Sequence, residues 1–235
     1  MSSTTTNGAT RLMVIRHAEK PDTYNGTAYD GVNDVGTICG KDAKEHLVTL
    51  GWQRAGGLVS LFGPPWGPQE GLSTPQFLFA SDPTSTSTSS SSDGTPDDDA
   101  SSSSSSAGPS QRPFETLTAL AAKLDLPIDT SYSKKHYHDM VKAAVACNGV
   151  VLIAWQHQDI PLENGDKKPG LSHYILSETG TTSTFDIPTT WPTTPSGEAR
   201  YDLVFVFDRP TGTGPIVNFT ILPQFLLAGD LPWPA

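Results

Sequence analysis

The chain has 235 residues, with 36% hydrophobic and only 17% charged side chains, enough apolar surface for one packed α/β domain without a metal or disulfide staple. Twenty-five acids against 15 bases give a formal charge of −10, which speaks against nucleic-acid binding and against a polybasic membrane-surface role. An anionic ligand stays compatible with that balance, because a pocket can be locally positive on an acidic protein. Cys39 and Cys147 lie far apart, in no metal-like spacing, and two cysteines make no disulfide framework; a reducing compartment fits best. The segment Met1–Thr10 lacks a basic stretch followed by an apolar one, and no apolar run reaches about 18 residues. The expectation is a cytoplasmic protein of one domain over 1–235, with no membrane span.

In chain order, Leu12-Met-Val-Ile15 is a short apolar run, the pattern of a buried strand that delivers Arg16-His17 at its carboxyl end. Ala43 to Phe62 has helical apolar spacing and stops at Gly63-Pro-Pro65. Phe77-Leu-Phe-Ala80 reads as a second buried strand, ending at Ser81-Asp82. Thr84–Ser110 stands apart: 27 residues with thirteen serines, four aspartates and no aliphatic side chain larger than Ala. Such a stretch buries too little apolar surface to offset its ordering entropy, and is expected to be a disordered insertion.

Pro113 to Leu126 is expected to form a helix with Pro in its first turn, Glu115 early, and Leu117, Leu120, Ala121 and Leu124 on one face. Lys135 to Cys147 follows as another helix, closed by Asn148-Gly149. Val150-Val-Leu-Ile-Ala-Trp155 is the clearest strand and runs into Gln156-His157. Residues 161–191, rich in Gly, Thr and Pro, read as irregular cover, and 203–207 with 217–222 as a late antiparallel pair. Alternating strands and helices imply a three-layer α/β/α sandwich with a mostly parallel central sheet.

In such a sheet, ligands bind beyond the carboxyl ends of the strands. Three strands deliver Arg16-His17, Ser81-Asp82, and His157 with Asp159 to that edge, and Arg112 opens the following helix. Two imidazoles and two guanidinium forks suit a tetrahedral oxyanion, and a neutral imidazole beside them can attack phosphorus and carry it. His136-Tyr-His138 has one intervening residue and no third ligand nearby, so no zinc site is expected. Gly212-Thr-Gly214 reads as a hairpin turn rather than a phosphate loop, and no Gly-x-Ser-x-Gly elbow is present.

The string Leu12-Met-Val-Ile-Arg-His-Ala-Glu-Lys-Pro21 resembles the Arg-His-Gly/Ala motif that opens the histidine phosphatase (phosphoglycerate mutase-like) superfamily. His46-Leu47 to Gly51-Trp-Gln-Arg-Ala55, Phe79-Ala-Ser81, Gln111-Arg-Pro-Phe-Glu-Thr-Leu117 and Val151-Leu-Ile-Ala-Trp-Gln-His157 follow in the family's order. The resemblance covers about residues 11–163, and the C-terminal part looks like a compact fungal and bacterial branch. It implies a phosphoglycerate mutase-like fold, a phosphate-ester substrate, no cofactor and no metal. It also implies His17 as the phosphorylated nucleophile, with Arg16, Arg112 and His157 holding phosphoryl oxygens. The general acid is left between Asp159, which is favoured, and Glu19, while His136, His138 and Asp139 occupy the region of the mutase-type acid. Arg54, the alternative to Arg112, is expected to be solvated on its helix. The activity implied is hydrolysis of a small phosphorylated metabolite, with a phosphomutase or a catalytically degenerate phospho-ligand-binding protein as alternatives.

Overall fold

A computed structural model describes residues 8–24, 27–28, 30–33, 44–63, 65, 67–84 and 110–234. Apart from Thr84 and Ser110, the Ser/Asp-rich insertion lies outside the described residues, as does Cys39.

A six-stranded sheet forms the middle layer. Its strands are β1 (Arg11–Arg16), β4 (Phe77–Ala80), β5 (Ile128–Asp129), β6 (Val150–Trp155), β7 (Leu203–Asp208) and β8 (Asn218–Pro223). Two-residue strands β2 (Thr23–Tyr24) and β3 (Thr27–Ala28) pair separately, and the sequence pattern did not announce them. The sheet order is β5-β4-β6-β1-β7-β8. The pairs β5–β4, β4–β6 and β6–β1 are parallel, whereas β1–β7 and β7–β8 are antiparallel. The expected three-layer sandwich and the late antiparallel pair are both present.

The helices are α1 (Thr49–Phe62), α2 (Arg112–Leu124), α3 (Tyr137–Ala146) and α4 (Leu171–Glu178). Strand alternation sends β1's Met13 and Ile15 toward α1 and α2, where they pack with Leu58, Phe62, Leu117 and Leu120. Leu12 and Val14 go the other way, to Met140, Val141, Leu171 and Ile175 of α3 and α4. This second face is also lined by aromatic rings: Trp191 stacks on Phe205 at 5.0 Å, and Phe219 meets both Phe205 and Phe207.

Four boundaries depart from the sequence reading, each for a local reason. Helix α1 begins at Thr49 rather than near Ala43, because the Val48 N–H donates to the Glu19 carbonyl and holds Val48 extended. Helix α2 stops at Leu124, where Asp125 turns left-handed at φ 55°. The expected 135–147 helix opens as a 3₁₀ turn, Lys134–His136, before α3. Finally, α4 lies inside the stretch read as irregular cover: it has eight residues, too few for a periodic signal, and buries mainly Leu171 and Ile175.

Because β7 runs antiparallel to β1, its amino end lies beside β1's carboxyl end, Ile15 pairing with Val204. The segments after β1, β4 and β6, the start of α2 and residues 199–202 before β7 therefore gather along one edge. Among the described residues no helix is long and apolar enough to cross a membrane.

Candidate functional site

The edge is organised around His17. Its N–H donates to the Trp155 carbonyl at 2.9 Å, extending the β1–β6 ladder one residue past Arg16, and the side chain is fully buried. The ring Nδ1 lies 2.7 Å from the carbonyl oxygen of Ala18. A carbonyl only accepts, so this contact puts a proton on Nδ1; in the neutral ring the lone pair then lies on Nε2.

The backbone that follows is tied to α2. The Ala18 N–H donates to Thr116 Oγ1 at 2.8 Å, and the Thr116 hydroxyl donates to the Arg112 carbonyl at 2.7 Å. His17 and Arg112, 95 positions apart, thus belong to one hydrogen-bonded unit. Arg112 is the first residue of α2, is buried, and donates from Nε to Ser110 Oγ at 3.0 Å. The flanks of the insertion meet here: Gln111 Nε2 donates to the Pro83 carbonyl at 2.6 Å, so the long interruption still delivers Arg112 beside the strand-four exit.

Arg16 is buried on the opposite side of β1. Its Nη1 donates to the Ala199 carbonyl, and the Tyr201 ring covers the guanidinium at 3.7 Å from the ring centroid. The Tyr201 and His17 ring centroids are 6.1 Å apart. Burial pushes the Tyr201 phenol up, while Arg16, a backbone N–H of Lys20 and Arg112 favour its ionised form and Glu19 opposes it. Tyr201 is therefore within electrostatic reach of both arginines assigned from sequence.

The two carboxylates expected to compete as acid have different surroundings. Both Glu19 oxygens accept from Arg54, Oε1 at 2.7 Å from Nη2. Arg54 also donates to Asp230, again at 2.7 Å, and to Gln224 at 3.0 Å. Far from being solvated mid-helix, Arg54 is 4% exposed. Burial disfavours its charge, but its hydrogen bonds to Asp230 and Glu19, together with their negative charges, outweigh this and raise its pKa further. Its fork is occupied by those partners, which removes it as a substitute for Arg112. Asp159 instead closes the short 3₁₀ turn His157–Asp159 that follows β6, half-buried with His157. It lies near Tyr137, whose phenol is pushed up to about 12 by burial first and by Asp159 next.

His136 and His138 lie at the α3 end of the other face. His136 Nδ1 contacts Ser133 Oγ at 2.7 Å; His138 Nε2 contacts Glu178 at 2.7 Å, and its ring stacks on Tyr174 at 3.9 Å. Among the described residues no three His, Cys, Asp or Glu side chains are grouped so as to hold a metal ion.

Sequence reasoning missed Tyr201, Thr116 and Glu115. Tyr201 precedes the strand that reverses direction, so only the β1–β7 pairing brings it to this edge. Thr116 and Glu115 look like ordinary first-turn helix residues. Glu115 is buried and accepts from the Leu47 N–H at 2.8 Å and from His46, docking the approach to α1 onto α2.

No family model matches this chain, and no curated protein matches it. A search of solved structures finds a chain from Agrobacterium tumefaciens provisionally named the phosphohistidine phosphatase SixA. The identity is 13% and the TM-score 0.34, over 90% of this chain and 97% of that one. At that score no residue role transfers between them.

Proposed function

We propose that this protein is a metal-independent phosphatase that hydrolyses a small phosphorylated metabolite through a phosphohistidine on His17. The carrying observation is the contact of His17 Nδ1 with the Ala18 carbonyl oxygen, at 2.7 Å, which in the neutral ring leaves the lone pair on Nε2. The motif resemblance to the histidine phosphatase superfamily, over about residues 11–163, supports the same reading.

In the first step Nε2 attacks phosphorus in line and the P–O bond to the leaving alcohol breaks. Asp159 gives its proton to the departing oxygen. Arg16, Arg112 and His157 hold the three remaining phosphoryl oxygens and meet the charge that develops there. In the second step water attacks the phosphohistidine, Asp159 takes the proton, and orthophosphate leaves as His17 regains its lone pair. Asp159 is assigned the acid because Glu19 has both oxygens engaged by Arg54; a protonated Glu19 would forfeit one of those bonds.

Phosphate release from an aryl phosphate in the presence of EDTA tests the reading, together with trapping of an acid-labile, alkali-stable phosphoryl group on the protein. Release by wild type and its loss in His17→Ala are expected, and activity surviving His17→Ala overturns the reading. Tight binding of phosphate esters with no turnover across a broad panel would reassign the chain as a phospho-ligand-binding protein. Transfer between substrate hydroxyls in preference to water would make it a mutase.

A further inference from the structure

The segment before β7 is a rigid strap across the site edge. Arg200 is 2% exposed, and its guanidinium donates to Asp202 at 2.8 and 2.6 Å, to the Leu231 carbonyl at 2.6 Å and to the Pro232 carbonyl at 3.0 Å. The Trp191 indole donates to the Arg200 carbonyl at 2.7 Å, and the Arg200 N–H to the Pro192 carbonyl at 3.0 Å. With Arg200 and Asp202 locked on either side, Tyr201 has little freedom, and the Arg16 guanidinium lies over its ring, 3.7 Å from the centroid.

We propose that Tyr201 is the positioning residue for Arg16, and that its ring sets the affinity of the site for a phosphoryl group; the inference rests on the phosphatase reading above. A guanidinium is planar, so two constraints orient it: an acceptor at one edge and a wall on one face. The Ala199 carbonyl supplies the first and the Tyr201 ring the second. Holding a long side chain in its binding geometry removes an ordering cost that each ligand would otherwise meet. The choice of an aromatic wall matters chemically. A carboxylate would orient the guanidinium equally well but would neutralise it, as Glu19 and Asp230 do for Arg54. A ring face attracts the cation through its quadrupole and itself adds no net charge. The phenol oxygen takes a hydrogen bond from the Lys20 backbone, which links the ring to the segment following His17.

The test is calorimetric titration with inorganic phosphate, alongside aryl phosphate kinetics, on wild type, Tyr201→Phe, Tyr201→Leu, Arg16→Met and the Arg16→Met/Tyr201→Leu pair. Tyr201→Leu is expected to weaken phosphate binding about tenfold, while Tyr201→Phe, which keeps the ring, stays within about twofold of wild type. In the Arg16→Met background Tyr201→Leu is expected to add less than about twofold, because its effect passes through Arg16. Should Tyr201→Leu lose the wild-type thermal midpoint, Tyr201→Met replaces it at a closer volume. Wild-type affinity in the ringless variant, an equal loss in Tyr201→Phe, or a full additive loss without Arg16 each overturns the proposal and leaves the phosphatase reading standing. A wild-type protein that neither binds phosphate nor hydrolyses the ester overturns both.

Discussion

The two faces of the sheet solve the same burial problem differently. On the α1/α2 face, two helices of 14 and 13 residues cover the strands with Leu, Ala and Phe. On the α3/α4 face, beside helices of ten and eight residues, Trp191, Phe205, Phe207 and Phe219 fill the cover by stacked, edge-on and tilted ring contacts. Long helices carry a repeated apolar period; aromatic fill beneath irregular chain carries none. The two faces also hold different parts of the edge: His17 is tied to α2 through Ala18 and Thr116, while the aromatic face holds the strap that presents Tyr201.

The sharpest way to break that division is to injure each face in turn. His17→Ala is expected to lower turnover of an aryl phosphate by on the order of 10³-fold or more, with a thermal midpoint within a few degrees of wild type. Phe205→Ala, on the aromatic face, is expected to cost about 3–5 kcal/mol in denaturant unfolding yet leave kcat per folded molecule within about twofold. A tenfold fall in kcat for Phe205→Ala would show that the aromatic face takes a direct part in the reaction.

Arg54 tests whether charge on the α1 side is structural. Arg54→Met leaves Glu19 and Asp230 without their shared cation, and a loss of about 3–5 kcal/mol is expected by chemical denaturation. Adding Glu19→Gln and Asp230→Asn should recover part of it. No recovery would mean that the cost lies in helix packing instead.

Asp159 stands in the turn with His157 and near Tyr137. Asp159→Asn is expected to slow hydrolysis of an alkyl phosphate about 10²-fold and of a nitrophenyl phosphate far less, since nitrophenolate leaves without a proton. Equal slowing of both esters would take the acid role away from Asp159.

Asp202, which locks the strap through Arg200, supplies a smaller effect that depends on pH. Burial disfavours its charge, but the Arg200 hydrogen bond, the Leu231 backbone N–H and the charge of Arg200 together outweigh this and hold its folded pKa below the ordinary 3.8. A depressed carboxylate contributes stability that is fully present above its unfolded pKa and is lost as pH falls through the folded value. Acid titration of unfolding should therefore show Asp202→Asn less stable than wild type near pH 6, with the gap narrowing below about pH 4. A constant gap would remove the carboxylate from the explanation.

The smallest effect is expected from the insertion. Gln111 already closes its flanks onto Pro83, so a short Gly/Ser linker in place of residues 85–109, leaving Ser110 on Arg112, can bridge them. At about 0.15 M salt the field of its four aspartates fades over roughly 8 Å, and kcat/KM is expected to change less than threefold. A tenfold loss with an unchanged thermal midpoint would make the insertion a working part of the site.

What could be read in the chain beforehand follows from what is local. The apolar runs 12–15, 77–80 and 150–155 announce buried strands because both of their faces are covered. Their carboxyl-end residues Arg16, His17 and His157 therefore pointed to one edge before any coordinate was known. The long periodic helices were likewise clear, except at their ends. There tertiary ties decide: the Glu19 carbonyl holds Val48 out of α1.

Tertiary structure alone decided which groups surround each buried charge. Arg54 and Arg16 are both buried arginines, although the mid-helix place of Arg54 suggested a solvated side chain. The partners that surround them come from distant segments: Glu19 and Asp230 around Arg54, and Ala199 and Tyr201 around Arg16. Strand direction brings Tyr201 to the edge, and β7 reverses only by pairing with β1. Apolar patterning records that a segment is buried, because burial depends on the segment's own side chains. It carries no record of which remote group meets a buried charge, because that is set by how the chain closes on itself.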